Sequence, residues 1–273
     1  MKKMFKLGIC LLVIAAALGP SKVKAFNSAT HIYIADHVFP FAFDKIDLFY
    51  GSIAPDLYIY LPEGNWSDAF METHYTAVLP FSWWRLDQRA FAKGWQTHNE
   101  GWGADFYAHG NYLNYNGYVI QKAKTLINLS GGQLTDYLAH FAIEVAIDLL
   151  LVKNEDHALG GKLLGAALLR SSEDLKLMAK AFVSDDNPSL QTLSGREDNF
   201  RNLVIQYATA LILPDPQRME ALGELGVQIS GGQLESSTVQ EILLAAMALC
   251  SSDYMDPIEA AIDGIRHHPG LIR

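Results

Sequence analysis

The pattern of apolar and polar positions predicts helices along almost the whole chain. Apolar residues recur at spacings of three and four, and the strict alternation of a half-buried strand is almost absent. The predicted helices cover 28–39, 89–98, 104–127, 133–152, 157–169, 171–183, 194–212, 216–227, 237–250 and 256–267. The 104–127 stretch is one helix or two, since Gly110 and Gly117 could break it. The pattern therefore predicts an all-α protein.

The segment 57–87 lacks this periodicity and is predicted to be a long irregular loop. Loops of that length inside a domain are usually functional or disordered, and the aromatic content argues against disorder. Its tryptophans Trp66, Trp83 and Trp84 could contact lipid at a membrane surface, since indole rings favour that boundary. The alternative is that they pack in the core.

The first 25 residues have the pattern of a secretory signal peptide. A basic start is followed by a short apolar run and by small residues before the predicted cut after Ala25. The apolar run is about half the roughly 20 residues that a spanning helix needs, so a retained anchor is the weaker alternative. We therefore expect a secreted or periplasmic protein whose mature chain begins at Phe26.

The net charge bears on which partners the mature chain can bind, and the cysteine count bears on whether it can form a disulfide. Removal of the five signal-peptide lysines leaves 16 basic and 30 acidic residues, a net charge of −14. Such a field repels nucleic acid and anionic membranes at long range, although bound metal could reverse that at a site. Only Cys250 survives processing, so no intramolecular disulfide can form.

The two halves of the mature chain differ in composition. Residues 26–150 contain all five tryptophans and six of the nine histidines, whereas 151–273 is poorer in both and has amphipathic helices. We therefore predict a metal-binding helical domain over 26–150, with 151–273 as a helical extension packed on it.

The predicted helix 133–152 carries three ionisable residues on one face of an otherwise apolar sequence. His140, Glu144 and Asp148 are each four residues apart, a spacing that aligns side chains on a helix. Such groups are costly to bury unless they are paired or bound to metal. The alternative interpretation is a half-exposed surface pair.

The segment ADFYAHG repeats this arrangement with Asp105 and His109. His98 lies seven residues before Asp105, roughly 10 Å along an unbroken helix, which is too far for both to bind one ion. Gly101 and Gly103 could break the helix and shorten the gap. His98 is therefore the weakest candidate of the set.

Three further candidate ligands do not belong to a pair of residues spaced four apart on a helix. They are His31 near the mature N-terminus, Asp56 after Pro55, and His74 in METHY. A single histidine of this kind is usually structural, but the whole set indicates metal binding. The sequence contains no HExxH, GxSxG, Walker or GxGxxG motif.

Together these residues resemble the zinc-dependent phospholipase C family, which is similar in fold to single-strand-specific nucleases. The resemblance covers about residues 26–150 and implies an all-α helical bundle of that type, here with additional C-terminal helices, that binds two or three Zn²⁺ ions. The ligand set that it implies comprises Phe26 (through its terminal amine and carbonyl), His31, Asp56, His74, His98, Asp105, His109, His140 and Glu144. Gly101 stands where the family has a histidine, so either one ion lacks a ligand or His98 takes that place.

The resemblance further implies phosphodiester hydrolysis. Asp105 would bridge two ions, and Asp56 would bind an ion or act as the base that orients the attacking water. The expected substrate is a phospholipid or another phosphodiester, with transient contact to a membrane surface and with nucleic acid disfavoured. The alternatives are a single-strand nuclease and a metal-stabilised binding protein without turnover.

Overall fold

The computed structural model describes residues 27–60, 66–111, 113–132, 134–181 and 190–272. Within these ranges the chain forms thirteen α-helices and one 3-10 helix, Ala54–Tyr60, and no strand. The helices are α1 Ser28–Val38, α2 Lys45–Ile53, α3 Trp66–His74, α4 Leu86–His98, α5 Ala104–His109, α6 Tyr118–Leu129, α7 Asp136–Asn154, α8 Leu159–Leu169, α9 Asp174–Ala179, α10 Leu190–Ile212, α11 Gln217–Ile229, α12 Ser236–Cys250 and α13 Met255–His267. The all-α prediction is confirmed. The predicted signal peptide, its cleavage site and Phe26 lie outside the described residues.

Helix α2 was not predicted, because it has no solvent-facing side. All of its residues from Asp47 to Ile53 are buried, so the polar face that periodicity detects is missing. The Asp44 side chain begins the helix by accepting a hydrogen bond from the Asp47 N–H at 3.2 Å.

The prediction of an irregular loop over 57–87 is wrong for much of its length. The 3-10 helix extends to Tyr60, and α3 places His74 at the end of a helix instead of in a loop. Both elements are short, and periodicity has little power over one or two turns. Of the described residues in this stretch, only 75–85 lack helix, and Trp84 there is 86% exposed, which excludes core packing for that ring.

The stretch predicted as one or two helices over 104–127 forms two, α5 and α6, and the break between them contains Gly110 and Gly117. Gly110 adopts a φ of +82°, a conformation that L side chains rarely take. A Cβ on Gly117 would lie 2.3 Å from the Gly110 nitrogen. The chain therefore reverses tightly between α5 and α6.

Close packing of α2 against α4 depends on two further glycines. A Cβ on Gly94 would lie 2.0 Å from the carbonyl oxygen of Leu48, and one on Gly51 would lie 2.2 Å from that of Phe91. The absent side chains let the two backbones touch, which brings the C-terminal end of α4 beside Ser52.

Helices from the second half of the chain pack directly on the first half. Helix α8 contacts α1 and α2, α10 contacts the 3-10 helix, and α13 contacts α1 and α5. The buried apolar residues of both halves belong to one core, and residue 150, the predicted end of the first domain, lies inside α7. Among the described residues, no helix is both long and apolar enough for a membrane crossing.

Asp148 joins α7 to the N-terminus of α1. Its fully buried carboxylate accepts hydrogen bonds from the backbone N–H groups of Ala29 (3.1 Å) and Thr30 (2.7 Å). The hydroxyls of Thr30 and Tyr207 donate to it at 2.5 and 2.8 Å. Asp148 therefore satisfies N–H groups that the first turn of a helix leaves unpaired, and it fixes the turn that carries His31.

We expect Asp148→Ala to lower the free energy of unfolding by about 2–4 kcal/mol, because it leaves several buried donors without an acceptor. Chemical denaturation measures this. Asp263→Ala is the control, since its side chain is 78% exposed, and it should change stability by about 0.5 kcal/mol or less. Equal effects of the two substitutions would show that Asp148 does not hold α1 in place.

Candidate metal centre

Nine buried or nearly buried ionisable side chains converge in the first half of the chain. They are His31, Asp56, His74, His98, Glu100, Asp105, His109, His140 and Glu144. They form four overlapping groups in which the potential ligand atoms all lie within 4.8 Å of one another. Eight of the nine are residues that the sequence singled out, and these groups could hold metal ions.

Six separate elements contribute these side chains, mostly from helix ends. His31 lies on the first turn of α1, Asp56 on the 3-10 helix, His74 at the end of α3 and His98 at the end of α4. Asp105 and His109 lie on α5, and His140 and Glu144 lie on α7. Tertiary packing, and not local sequence, therefore brings these buried ionisable groups together.

The break between α4 and α5 overturns the spacing argument against His98. Helix α4 ends at His98, and the turn 99–103 leads into α5, so the Nε2 atom of His98 lies 3.2 Å from Oδ2 of Asp105. Gly101 lies in this turn and is exposed. His98 therefore belongs to the centre of the cluster, where the sequence ranked it last.

Asp105 is the hub of the first group. Its Oδ1 lies 3.4 Å from Nε2 of His31, and its Oδ2 lies 3.6 Å from Nε2 of His74. Both oxygens are buried and accept no well-oriented hydrogen bond. Ligand bonds of about 2.0–2.1 Å in tetrahedral geometry separate neighbouring ligand atoms by roughly 3.3 Å. The observed separations match ligands around an ion better than a hydrogen-bonded network.

The protonation of two imidazoles supports the same interpretation. Nδ1 of His98 lies 2.8 Å from the carbonyl oxygen of Ser52, which can only accept, so Nδ1 carries the proton. Thr73 donates its hydroxyl to the carbonyl of Ala69 at 2.7 Å, so Nδ1 of His74 must donate to Thr73 at 2.8 Å. In the neutral rings, both Nε2 atoms are then unprotonated and present a lone pair.

These two bare nitrogens face each other at 3.3 Å. Two lone pairs at that distance repel unless a metal ion or a proton lies between them. Metal-bound histidines usually donate their second nitrogen to a carbonyl, carboxylate or similar acceptor, which is what Ser52 and Thr73 provide.

Asp56 connects the cluster to solvent. Its Oδ1 lies 3.7 Å from Nε2 of His98 and 3.8 Å from Nε2 of His74, and its side chain is 15% exposed. Asp56 and Glu144 line a cleft of about 250 Å³ whose other walls are mainly apolar and aromatic. Helices α10 and α11 supply several of these walls, so the second half of the chain completes the cleft.

A second group lies between α5 and α7. Nε2 of His140 is 2.7 Å from Oε1 of Glu144, and the rings of His109 and His140 lie 5.3 Å apart. Both oxygens of Glu100 lie 3.0 Å from Nδ1 of His109. Because Glu100, Asp105 and His109 also form one close group, the two halves of the cluster are continuous.

Burial and mutual charge shift the pKa values of these groups. Burial raises the pKa of Asp105 to about 7 and lowers that of His74 to about 4. Although burial acts against it, the carboxylates of Asp105 and Asp56 raise the pKa of His98 to about 9. The carboxylates thus attract positive charge, and a proton on His98 occupies the place that a metal ion would take.

Glu100 is the one member of the cluster that the sequence analysis missed. It lies in the turn between α4 and α5, two residues after one histidine and nine before another, so no helical spacing relates it to them. Its backbone N–H donates to the carbonyl of His74 at 2.9 Å, which fixes the turn against the end of α3. The sequence feature that could have identified Glu100 is its position as an acidic residue in a glycine-containing turn between two candidate ligands.

Asp148 departs from the helix face on which the sequence placed it with His140 and Glu144. It belongs to none of the close groups, and its carboxylate is bonded to α1 instead. The i, i+4 spacing aligns side chains only approximately, and the third member turns toward a different neighbour.

Comparison of the chain with protein-family models, curated proteins and solved structures finds no match. Interpretation of the centre therefore depends on its geometry and on the residue pattern.

We expect Thr73→Val to weaken Zn²⁺ binding about 10–100-fold, because it removes the acceptor that orients His74. Competition with a chromophoric chelator measures the affinity. The matched control is Thr209→Val: Thr209 also donates to the carbonyl four residues earlier, at 2.7 Å, but lies on exposed α10 surface away from the cluster. Unchanged affinity in both variants would show that His74 does not bind the ion.

Proposed function

We propose that this chain is an exported zinc-dependent phosphodiester hydrolase of the phospholipase C type. The observation that carries the proposal is the arrangement around Asp105, where bare imidazole nitrogens and unsatisfied carboxylate oxygens converge at ligand-to-ligand distances. The resemblance of the residue pattern to that family gives the reaction class.

The donor set favours zinc over other common ions. Five imidazoles and four carboxylates make a mixed nitrogen and oxygen environment, which suits zinc, whereas calcium and magnesium prefer oxygen alone. The resemblance adds the terminal amine of Phe26, and the next residues, Asn27 and Ser28, line the same cleft as Asp56 and Glu144.

Charge balance favours more than one ion. The four ionised carboxylates carry a formal charge of −4, and no Lys or Arg of the described residues lies within ion-pair distance of them. Two divalent ions neutralise this charge, and a third leaves an excess that attracts a phosphate group. When bound, such ions polarise phosphoryl oxygens and make water more acidic.

The protein groups have distinct parts in this scheme. Asp105, buried between three imidazoles, would be a shared ligand of the bound ions. Glu100 orients His109, as Ser52 and Thr73 orient His98 and His74. Asp56 lies where the cluster meets the cleft, so it is the carboxylate placed to orient water and accept its proton.

The cleft favours a lipid over a nucleic acid as substrate. The described residues that line it include the rings of Tyr60, Phe141 and Phe200 but no lysine or arginine. Nucleic-acid sites depend on basic side chains that neutralise successive phosphates. An apolar cleft beside the metal centre fits a single phosphodiester attached to an apolar group.

We expect the mature protein to hydrolyse a soluble phosphocholine diester at least about tenfold faster than a single-stranded oligonucleotide at equal phosphodiester concentration. Asp105→Asn should lose both bound zinc and turnover, by about 100-fold or more, because it removes a charge shared by the ions. Asp263→Asn, on the exposed surface of α13, is the control and should retain both.

Faster hydrolysis of the single-stranded oligonucleotide than of the phosphocholine diester would indicate a nuclease. Retained zinc without hydrolysis of either substrate would identify a metal-stabilised binding protein. Full zinc content in Asp105→Asn would contradict the metal centre itself.

A further inference from the structure

A second surface, remote from the metal centre, combines exposed aromatic rings with cations. Phe41 and Phe43, in the segment between α1 and α2, are 92% and 90% exposed. They line one surface groove with Leu86, Arg89 and Lys93 from the first two turns of α4. We call these five residues the Phe41 surface. Two almost fully exposed phenylalanines beside each other are costly in water and usually mark an interaction site.

The two cations of this surface have no acidic partner. Neither Arg89 nor Lys93 lies within ion-pair distance of a carboxylate among the described residues, although Arg85, close by, is paired with Asp87. Burial and the neighbouring charge of Arg89 lower the pKa of Lys93, so the two cations oppose each other. In a chain of net charge −9, such a pair favours an anionic partner.

The Phe41 surface lies at the opposite ends of the helices that build the metal centre. His31 is near the start of α1 and Phe41 follows its end; His98 is the last residue of α4 and Leu86 is its first. The 13 residues of α4 span about 20 Å. Lys93 is the member closest to the cluster along α4, and it lies five residues before His98 and about 140° around the helix from it. The surface therefore contains no candidate ligand and does not depend on the proposed reaction.

We propose that the Phe41 surface binds an anionic lipid bilayer, with the phenylalanine rings in the interface and Arg89 and Lys93 on the headgroups. Aromatic rings with adjacent cations are the combination that holds proteins at such an interface. Trp83 and Trp84, 51% and 86% exposed, lie in the segment just before α4 and are further aromatic rings open to solvent.

A second copy of this chain fits the surface less well. A two-fold dimer through this patch would bring the cations of one subunit close to the same cations of the other. The acidic remainder of the chain repels an anionic membrane only within the Debye length of about 8 Å at physiological ionic strength. Beyond that distance the acidic remainder does not oppose contact of the exposed rings and the two cations with the bilayer.

Flotation with vesicles tests the proposal, with phosphatidylcholine vesicles compared against vesicles containing phosphatidylglycerol. We expect binding to the anionic vesicles that falls with added salt. Arg89→Gln with Lys93→Gln should weaken it about 30-fold, and Phe41→Ser with Phe43→Ser at least about tenfold. Hydrolysis of a soluble diester should be unchanged in both double variants.

Matched controls use residues on other helices. Leu129→Ser with Leu244→Ser alters exposed apolar side chains on α6 and α12, and Lys124→Gln with Lys153→Gln alters exposed lysines. Both should bind vesicles as the wild type does. Asp105→Asn, once circular dichroism has shown that it is folded, should also bind normally, which separates this proposal from the metal centre.

Three results would overturn the proposal. One is a wild-type protein that does not bind anionic vesicles, and another is undiminished binding by Phe41→Ser with Phe43→Ser. The third is self-association that this variant abolishes, without vesicle binding, which would assign the surface to a second copy of the chain.

Discussion

The structure depends on a concentration of buried carboxylates that no Lys or Arg of the described residues pairs with. Asp105 is completely buried, and the imidazoles around it are oriented by Ser52 and Thr73 so that their bare nitrogens face its oxygens and each other. Burying ionised groups without partners is costly enough to unfold a domain of ordinary stability. Metal ions bound at these groups would relieve that cost, and under the proposed function the folding energy of the first half is linked to metal binding.

The rest of the fold serves to bring helix ends to this point. Glycines at positions 51 and 94 let α2 and α4 touch, which places the Ser52 carbonyl against His98. Asp148 binds the first turn of α1 and so fixes His31 relative to α7, which carries two further candidate ligands. The second half of the chain adds little charge to the centre but builds the apolar walls of the cleft. Charge and shape thus come from different parts of the sequence.

The spacing of residues within single helices predicted many of the candidate ligands, but it gave wrong or no predictions where the chain turns between helices. The pairs Asp105/His109 and His140/Glu144 were visible because each lies within one helix. His98 was undervalued because its distance from Asp105 was measured along a helix that ends at His98, and Glu100 was missed because it lies in the resulting turn. Helix α2 was invisible because burial on every side removes periodicity. The packing that makes one centre from six elements is long-range information that residue spacing does not hold.

The most direct test of this account is the metal content of the mature protein, purified without added metal or chelator and measured by elemental analysis. We expect at least two zinc ions per chain, since one divalent ion leaves half of the charge of the four carboxylates unbalanced. A folded, monodisperse protein with no bound divalent metal, and with none taken up on incubation with zinc, would contradict it.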